Sequence, residues 1–400
     1  MAKKQRVGII GGGQLAMMLG EGAYELGLEP VAWAASSSDP GFRKCRGSFI
    51  ATPNDAHAYQ HFLHSVDVVA FENEFFGDDI LTHAGALGLK FQPSLDAMNA
   101  VRNKLRQKEL CGKFEIPTAP FKAMGASESP DTWVKAMMHE FGSDCVFKVA
   151  LGGYDSKGVC LAEGESSAAR CVSFVREAQS KNVSVFAEKK IAIRRELAII
   201  AVRSTNGYSN TYPLVVVETK NGVCKLVQGP ATALGISGHL EAQASMAAGK
   251  FGVNMNLSGV FALEFFEDTE GKLWLNEMAP RVHNTGHYTQ EASETSQFEN
   301  HWQAILGLAP GDTTTTVGAF AMLNLLGPDT EIQEVVPFEL KLPEGVTYHD
   351  YDKKSSKPGR KMGHLNGVVD HPSELPAMVE QLKKIEMEWT VQMLRQAPQK

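Results

Sequence analysis

The run "GVFALEFFEDTEGKLWLNEMAP", residues 259–280, sets two apolar strands on either side of the polar break "DTEGK". Such a break, with a glycine at its centre, predicts a β-hairpin whose turn is centred on Glu270-Gly271. That turn places Glu264 directly opposite Glu277. Opposed residues of an antiparallel pair have Cβ atoms about 4.5–5.5 Å apart, and like charges there are destabilising. A divalent cation between the carboxylates removes the repulsion, and Mg2+ commonly takes one or two carboxylates together with substrate phosphates. Asn276, beside Glu277, adds a neutral oxygen donor. The alternative is a slipped register with Glu277 on the surface, because Glu-Gly specifies a turn less strictly than Asn-Gly.

Three other stretches carry chemistry. In "KVALGGYDSKG", residues 148–158, Lys148 sits in an apolar strand, where an ammonium is costly unless it meets an anion. The following Gly-Gly loop carries Lys157 and reads either as a phosphate cover or as an exposed hairpin tip; the Walker spacing is absent. After the hairpin, Arg281 and His283 alternate in an extended stretch, so both can face one pocket and serve anion binding or proton handling. In "DYDKKSSKPGRKMGH", residues 350–364, Lys353, Lys354, Lys357, Arg360 and Lys361 form the densest basic patch of the chain. A charge run is ordinarily a solvated face; the interruption by Pro358-Gly359 suggests a shaped anion site.

The amino-terminal run "VGIIGGGQLAMML", residues 7–19, reads as a buried strand, a glycine loop and a helix start. Gly11, Gly13 and Ala16 fit the G-x-G-x-x-G/A dinucleotide pattern. That pattern needs an acidic residue about 20 positions on, at the end of the second strand. Here the strand runs out as "VAWAASSS", with no acid before Asp39, which argues against NAD and leaves another phosphate-bearing ligand. Strands and helices alternate through the first hundred residues and predict a doubly wound parallel α/β sheet. Hairpins and helices then interleave, as in an α+β body. The expected domains are 1–105, Rossmann-like; 106–310, with a lid subdomain at about 120–187; and 311–400, smaller and β-rich. "EIPTAPF" (115–121) marks a boundary, "LGLAPGDTTTT" (306–316) reads as a linker, and Ser373 as the cap of a final helix.

The chain has 400 residues, 46 acidic against 39 basic, with a formal charge of −7. This balance disfavours a nucleic-acid binder, whose affinity comes largely from phosphate neutralisation. Six scattered cysteines without a C-x-x-C pair read as free thiols in a reducing cytoplasm. The apolar start is too short for a signal peptide, and no apolar run approaches a membrane span, so the expectation is a soluble cytoplasmic protein.

Taken together, "GGGQL", "EIPTAPF", "GGYDSKG", "NEMAPRVHNTGHYTQEASETSQFENH", "AMLNLLG" and "KPGRKMGHLNG" resemble, in this order, the ATP-grasp superfamily. Within it they are most similar to the N5-carboxyaminoimidazole ribonucleotide synthetases of purine (IMP) biosynthesis. The resemblance implies an ATP-grasp fold with a Rossmann-like (pre-ATP-grasp) amino-terminal domain and a small β-rich carboxy-terminal domain. It implies a ligase that phosphorylates bicarbonate with ATP to carboxyphosphate and transfers the carboxyl group to the amine of 5-aminoimidazole ribonucleotide. It also implies ATP with two Mg2+ ions, and a homodimer without nucleic-acid or membrane partners. By resemblance, Lys104, Lys148 and the loop Gly153, Tyr154, Asp155, Ser156, Lys157 and Gly158 hold the triphosphate. Glu188 and Ile191 match the adenine hinge, Glu196 the ribose carboxylate, Asn276 and Glu277 further ATP contacts, and Glu264 with Glu277 the metal ligands. Arg281, His283 and Asn284 match a bicarbonate and carboxyphosphate pocket, with Asp155 and Lys353 joining them as catalytic candidates. Gln14, Leu15, Glu74, Tyr154, Lys353, Arg360 and Lys361 match the ribonucleotide site.

The chain departs from the family pattern at several points. Ala16-Met17 replace Gly-Arg, Lys104 replaces an arginine, Phe75 an asparagine and Ser156 a glycine. "TKNG" follows "PLVVVE" where a histidine is usual, and Lys189 and Lys190 make the hinge more basic. An ATP-grasp ligase or transformylase acting on another phosphoribosylated amine is the alternative, though it is not expected to carry "PRVHNTGHYT".

Overall fold

The structure, a computed structural model, describes residues 4–50, 56–74, 90–152 and 158–397. The loop candidates Gly153, Tyr154, Asp155, Ser156 and Lys157, and the departure at Phe75, lie outside these residues.

The amino-terminal strands β1 (Arg6–Ile10), β2 (Glu29–Ala34), β3 (Gly47–Ile50), β4 (Val68–Phe71) and β5 (Lys90–Phe91) form a parallel sheet in the order β3-β2-β1-β4-β5. The order reverses beside β1, so the glycine loop leaves the carboxyl end of the central strand at the switch point where such sheets bind ligands.

A second sheet, antiparallel, contains β6 (Phe121–Ala123), β7 (Val146–Val149), β8 (Val159–Leu161) and β9 (Val185–Glu188) in the order β6-β9-β7-β8. Helices Pro130–Phe141 and Ala168–Ser180 close a core of its own around Trp133, Phe147 and Val175.

The third and largest sheet has nine strands among the described residues. Its main path is β15 (Leu273–Ala279), β14 (Gly259–Asp268), β10 (Ile193–Arg203), β12 (Val215–Lys220), β13 (Val223–Gly229), β16 (Ala319–Leu326), β18 (Lys361–Val369) and β17 (Val346–Asp350), with β11 (Ser209–Thr211) paired to β10. The carboxy-terminal strands β16–β18 extend this sheet through the β13–β16 pairing. Helix Leu375–Leu394 covers them with Leu375, Met378, Val379, Leu382, Ile385, Trp389 and Met393, an i, i+3/i+4 stripe. It begins after a 3-10 turn at Pro372–Glu374 capped by His371, so Ser373 lies inside that turn and is not its cap.

The segment 306–316 is tied down: the Gly311 amide donates to Asn300 Oδ1 (2.7 Å) and Gln303 Oε1 (2.8 Å), and Thr313 is buried. Helix Gln14–Glu25 packs into the same core as β10 and β14, and the Trp302 indole N–H donates to the Leu19 carbonyl at 2.7 Å. The glycine loop is thereby seated against the central sheet. No helix among the described residues is long and apolar enough to cross a membrane.

Candidate active site

A cleft of about 610 Å3 opens between the β6–β9 sheet, the β14–β15 hairpin and the amino-terminal glycine loop. Among the candidate residues it is lined by Gln14, Leu15, Glu74, Lys104, Lys148, Glu188, Ile191, Glu196, Glu264, Asn276, Glu277, Arg281, His283, Asn284 and Lys361. Lys353, Arg360 and Gly158 are not among the lining residues.

Glu264 does stand opposite Glu277, but by another route than a turn centred on Glu270-Gly271. The Asp268 amide donates to the Lys272 carbonyl at 3.0 Å, which leaves a three-residue loop, Thr269–Gly271, with Gly271 at φ +83°. Continued without interruption, that register would oppose Glu264 to Asn276. A bulge between Phe265↔Leu275 and Glu264↔Glu277 leaves Asn276 unpaired and brings Glu277 into place. Bulges re-aim side chains beside active sites, and here both Asn276 and Glu277 reach the cleft. Burial, then the facing Glu277 and Glu196, push the Glu264 carboxyl up to about 7. The Lys104 ammonium donates to Glu277 at 2.8 Å.

No set of three or more His, Cys, Asp and Glu side chains is arranged for a metal among the described residues. Two carboxylates and an amide oxygen nevertheless fit Mg2+, a hard cation that fills the rest of its shell with phosphate oxygens and water.

The cationic wall is deeper than the sequence showed. Lys148 pairs with Glu188 Oε1, and Lys108 lies 3.0 Å from Glu188 Oε2. Burial alone would raise the Glu188 carboxyl; the two ammonium groups outweigh it and hold it well below its ordinary value. Its carboxylate is therefore committed to the lysines, and Ile191 brings an apolar side chain to the same part of the cleft. Lys108 also donates to Thr118 Oγ1 at 2.6 Å, so the "EIPTAPF" segment is part of the site wall. Sequence reasoning misses Lys108. Its signal is helical spacing, because Lys104 and Lys108 are four apart on helix Lys104–Lys113 and share a face. Thr219, in the departing "TKNG", lines the cleft and donates to Glu196 Oε1 at 3.2 Å.

Beyond the hairpin, Arg281 Nε donates to Glu74 Oε2 at 3.0 Å, which ties the amino-terminal domain to the stretch Arg281–Asn284. Asn284 and buried Asn324 exchange reciprocal amide bonds of 3.0 and 2.7 Å. His283 Nδ1 lies 2.9 Å from Thr285 Oγ1 and accepts from the Thr285 amide at 3.4 Å; with Nδ1 assigned as an acceptor of both, the ring proton sits on Nε2, 3.6 Å from Glu264 Oε1. Burial, with the Arg281 and Lys361 charges, lowers the His283 pKa well below its ordinary value. His283 is therefore neutral at pH 7.

At the amino-terminal end the glycine loop holds a carboxylate of the chain itself. The Gly13 amide donates to Glu72 Oε2 at 2.7 Å. A Cβ at Gly11, which has φ +126°, would overlap Glu72 Oε2, and one at Gly13 would overlap Glu72 Oε1. This corrects the expectation of a loop whose N–H groups await a ligand phosphate: buried Glu72 occupies that place. The pattern "FEN" after β4 is the available signal, since β4 neighbours β1 and its end lies beside Gly11. Gly13→Ala should therefore expel Glu72 and destabilise the protein by about 1–3 kcal/mol, read by denaturant unfolding; an unchanged midpoint would contradict this.

Lys353 reaches the same end. It donates to Gln14 Oε1 at 2.9 Å and to the Lys361 carbonyl at 2.6 Å. Burial, then Arg360 and Lys361, lower its pKa to about 7 despite the opposing Glu72. Arg360 turns back to its own loop, donating to the Ser355 carbonyl and Oγ at 3.0 Å each. Its charge lowers the Lys353 pKa.

Three sequence profiles match the chain: the ribonucleotide synthetase preATP-grasp domain over residues 4–113, the ATP-grasp domain over 109–298, and the phosphoribosylaminoimidazole carboxylase C-terminal domain over 321–377. The fold and the opposed-carboxylate cleft thus define an ATP-grasp enzyme. The chain is 33% identical over 365 residues to the N5-carboxyaminoimidazole ribonucleotide synthase of Synechococcus elongatus, covering 90% of this chain and 89% of that one. It belongs to the N5-carboxyaminoimidazole ribonucleotide synthase family. Among solved structures, the Thermus thermophilus synthetase superposes with a TM-score of 0.80 at 29% identity, covering 95% of this chain and 98% of that one. The Aspergillus clavatus synthase in complex with ADP and 5-aminoimidazole ribonucleotide gives 0.82 at 25% identity, covering 97% and 100%.

Proposed function

We propose that this cleft carboxylates the amine of 5-aminoimidazole ribonucleotide with bicarbonate and ATP, through carboxyphosphate, to give N5-carboxyaminoimidazole ribonucleotide, ADP and phosphate in purine biosynthesis. The observation that carries this reading is one continuous cleft. It runs from the hinge at Glu188–Ile191, past Glu264 and Glu277, to Arg281, His283 and Gln14. A nucleotide at one end and a ribonucleotide at the other would meet at the Arg281–Asn284 stretch.

Phosphoryl transfer requires positioning and charge neutralisation more than covalent help from the protein. Lys104 and Lys148 supply positive charge beside Asn276 and Glu277. Glu264, Glu277 and Asn276 would hold Mg2+, which when bound neutralises phosphate charge during transfer. Arg281, fixed by Glu74, faces the bicarbonate end as a cation. His283 contributes a neutral N–H there, a group that can donate to a carboxyphosphate oxygen without taking its proton. Lys353, on Gln14, receives the ribonucleotide phosphate. Asp155 and Tyr154 complete the reading as expected contacts to the aminoimidazole. A cytoplasmic homodimer accompanies the proposal, and light scattering at twice the chain mass tests the assembly.

Phosphate release from ATP with bicarbonate, measured with and without the ribonucleotide, tests the reaction. Release should depend on the ribonucleotide; its indifference would overturn the assignment.

Lys353 adds a pH signature. With a pKa near 7 in the free protein it is an ammonium below that pH and increasingly neutral above it. The ribonucleotide KM should therefore rise between pH 7 and 9 while the ATP KM stays level, and Lys353→Arg should flatten the rise. Lys353→Ala should raise the ribonucleotide KM about 10- to 100-fold more than the ATP KM. Equal effects on both substrates would remove Lys353 from the phosphate site.

A further inference from the structure

Gln297 is wholly buried at the first position of helix Gln297–Ile305, fourteen residues beyond His283. A buried carboxamide is costly unless its hydrogen bonds are made. Gln297 makes them all to one short segment. Its Oε1 accepts from the His283 amide at 2.9 Å, and its Nε2 donates to the His283 carbonyl at 2.8 Å. The second Nε2 hydrogen points to His287 Nδ1 at 3.3 Å.

His283 lies between the end of β15 at Ala279 and a 3-10 turn at Asn284–Gly286, so no sheet ladder pairs its backbone. The side chain of Gln297 replaces that ladder, gripping both polar groups of one residue.

The grip is itself braced. The Gln297 amide donates to Thr289 Oγ1 at 2.9 Å, and Thr289 Oγ1 donates to the Gly286 carbonyl at 2.7 Å. Ser296 and Glu299 form a capping box that fixes the helix start. Gly286 leaves the space: a Cβ there would lie 2.7 Å from Gln297 Oε1.

We propose that Gln297 is a positioning residue for the carboxyl-transfer end of the cleft, clamping His283 so that its Nε2–H stays aimed toward Glu264 and the bound anion. This rests on reading Arg281–Asn284 as the bicarbonate and carboxyphosphate pocket. Apart from the 3.0 Å bond that the Gly286 amide of the 3-10 turn donates to its carbonyl, the His283 backbone is held through Gln297, and a displacement of about 1 Å at a reacting group can cost about 100-fold in rate.

The test compares Gln297→Met, Gln297→Glu and His283→Ala, singly and with Gln297→Met combined with His283→Ala, in the full-length enzyme. Gln297→Met keeps the length but neither bond; Gln297→Glu keeps the acceptor and loses the donor. Thermal unfolding identifies the folded variants, and Gln297→Glu serves if Gln297→Met does not fold. Either should lower kcat/KM for bicarbonate about 100-fold while the ATP KM moves less than about threefold. In the His283→Ala background, Gln297→Met should add less than about threefold, because the residue acts through His283. Multiplicative losses in the double variant, or equal losses for every substrate, would overturn the positioning role. If His283→Ala alone leaves the bicarbonate dependence intact, the pocket assignment falls, and the role of Gln297 falls with it.

Discussion

Glu277→Gln should lower kcat about 1,000-fold while leaving the protein folded, a loss of roughly 4 kcal/mol of transition-state stabilisation. The substitution keeps the shape of the side chain and removes one of two opposed charges. Glu264 then has no facing carboxylate, and the repulsion that helps to push it up to about 7 is gone. Against this relief stands the loss of the 2.8 Å contact from Lys104, between side chains that are 23% and 37% exposed. A partly exposed pair of this kind contributes about 0–1 kcal/mol. The two changes nearly offset, so the melting temperature should stay within about 2 °C while turnover collapses. Raising Mg2+ should not restore turnover, because the missing ligand charge belongs to the site. Steady-state kinetics beside a thermal melt reads both quantities. Activity within about tenfold of the unsubstituted enzyme would mean that the opposed carboxylates do not hold the metal.

The second large effect is on stability. Glu188→Gln removes the only carboxylate that Lys108 and Lys148 share among the described residues. Both lysines are deeply placed, with side chains 4% and 13% exposed. Breaking a buried pair by removing one partner costs about 3–5 kcal/mol, because the remaining charge has neither water nor a counter-ion.

The pH dependence has a definite sign. The folded Glu188 pKa is depressed to about 2 from an ordinary 4.5, so its stabilisation is present above pH 4.5 and is lost as pH falls toward 2. Glu188→Gln should lack that acid component. In the variant Lys108, which burial already holds below its ordinary value, is penalised while charged, so stability should recover as the pH is raised and it loses its proton. ATP should raise the melting temperature of the variant more than that of the unsubstituted protein, since its phosphates replace the missing anion. A loss below about 1 kcal/mol at neutral pH would show that the lysines find other partners.

These two glutamates show what was legible in the chain. Strand alternation and the glycine break were enough to propose that Glu264 faces Glu277, because side-chain period and turn chemistry are local properties. The pairing holds, yet it depends on a three-residue loop and a bulge at Asn276 that no local pattern specifies. Glu188 was found through its motif, whereas its commitment to Lys148 and Lys108 arises only when helix Lys104–Lys113 is laid beside the β6–β9 sheet. The basic loop at 350–364 was visible as composition, but composition could not separate Lys353, bonded to Gln14, from Arg360, turned back on Ser355.

By itself, the sequence determined the parallel amino-terminal sheet, the strands of the hairpin that carries Glu264 and Glu277, the family motifs and the polarity of each segment. All of these follow from spacing over a few residues. Only the tertiary structure decided that Glu72 fills the glycine loop, that Lys353 meets Gln14 across 339 residues, and that Gln297 clamps the backbone of His283. The physical reason is that a buried polar group must find a partner wherever packing brings one within about 3 Å, and chain separation does not limit that choice.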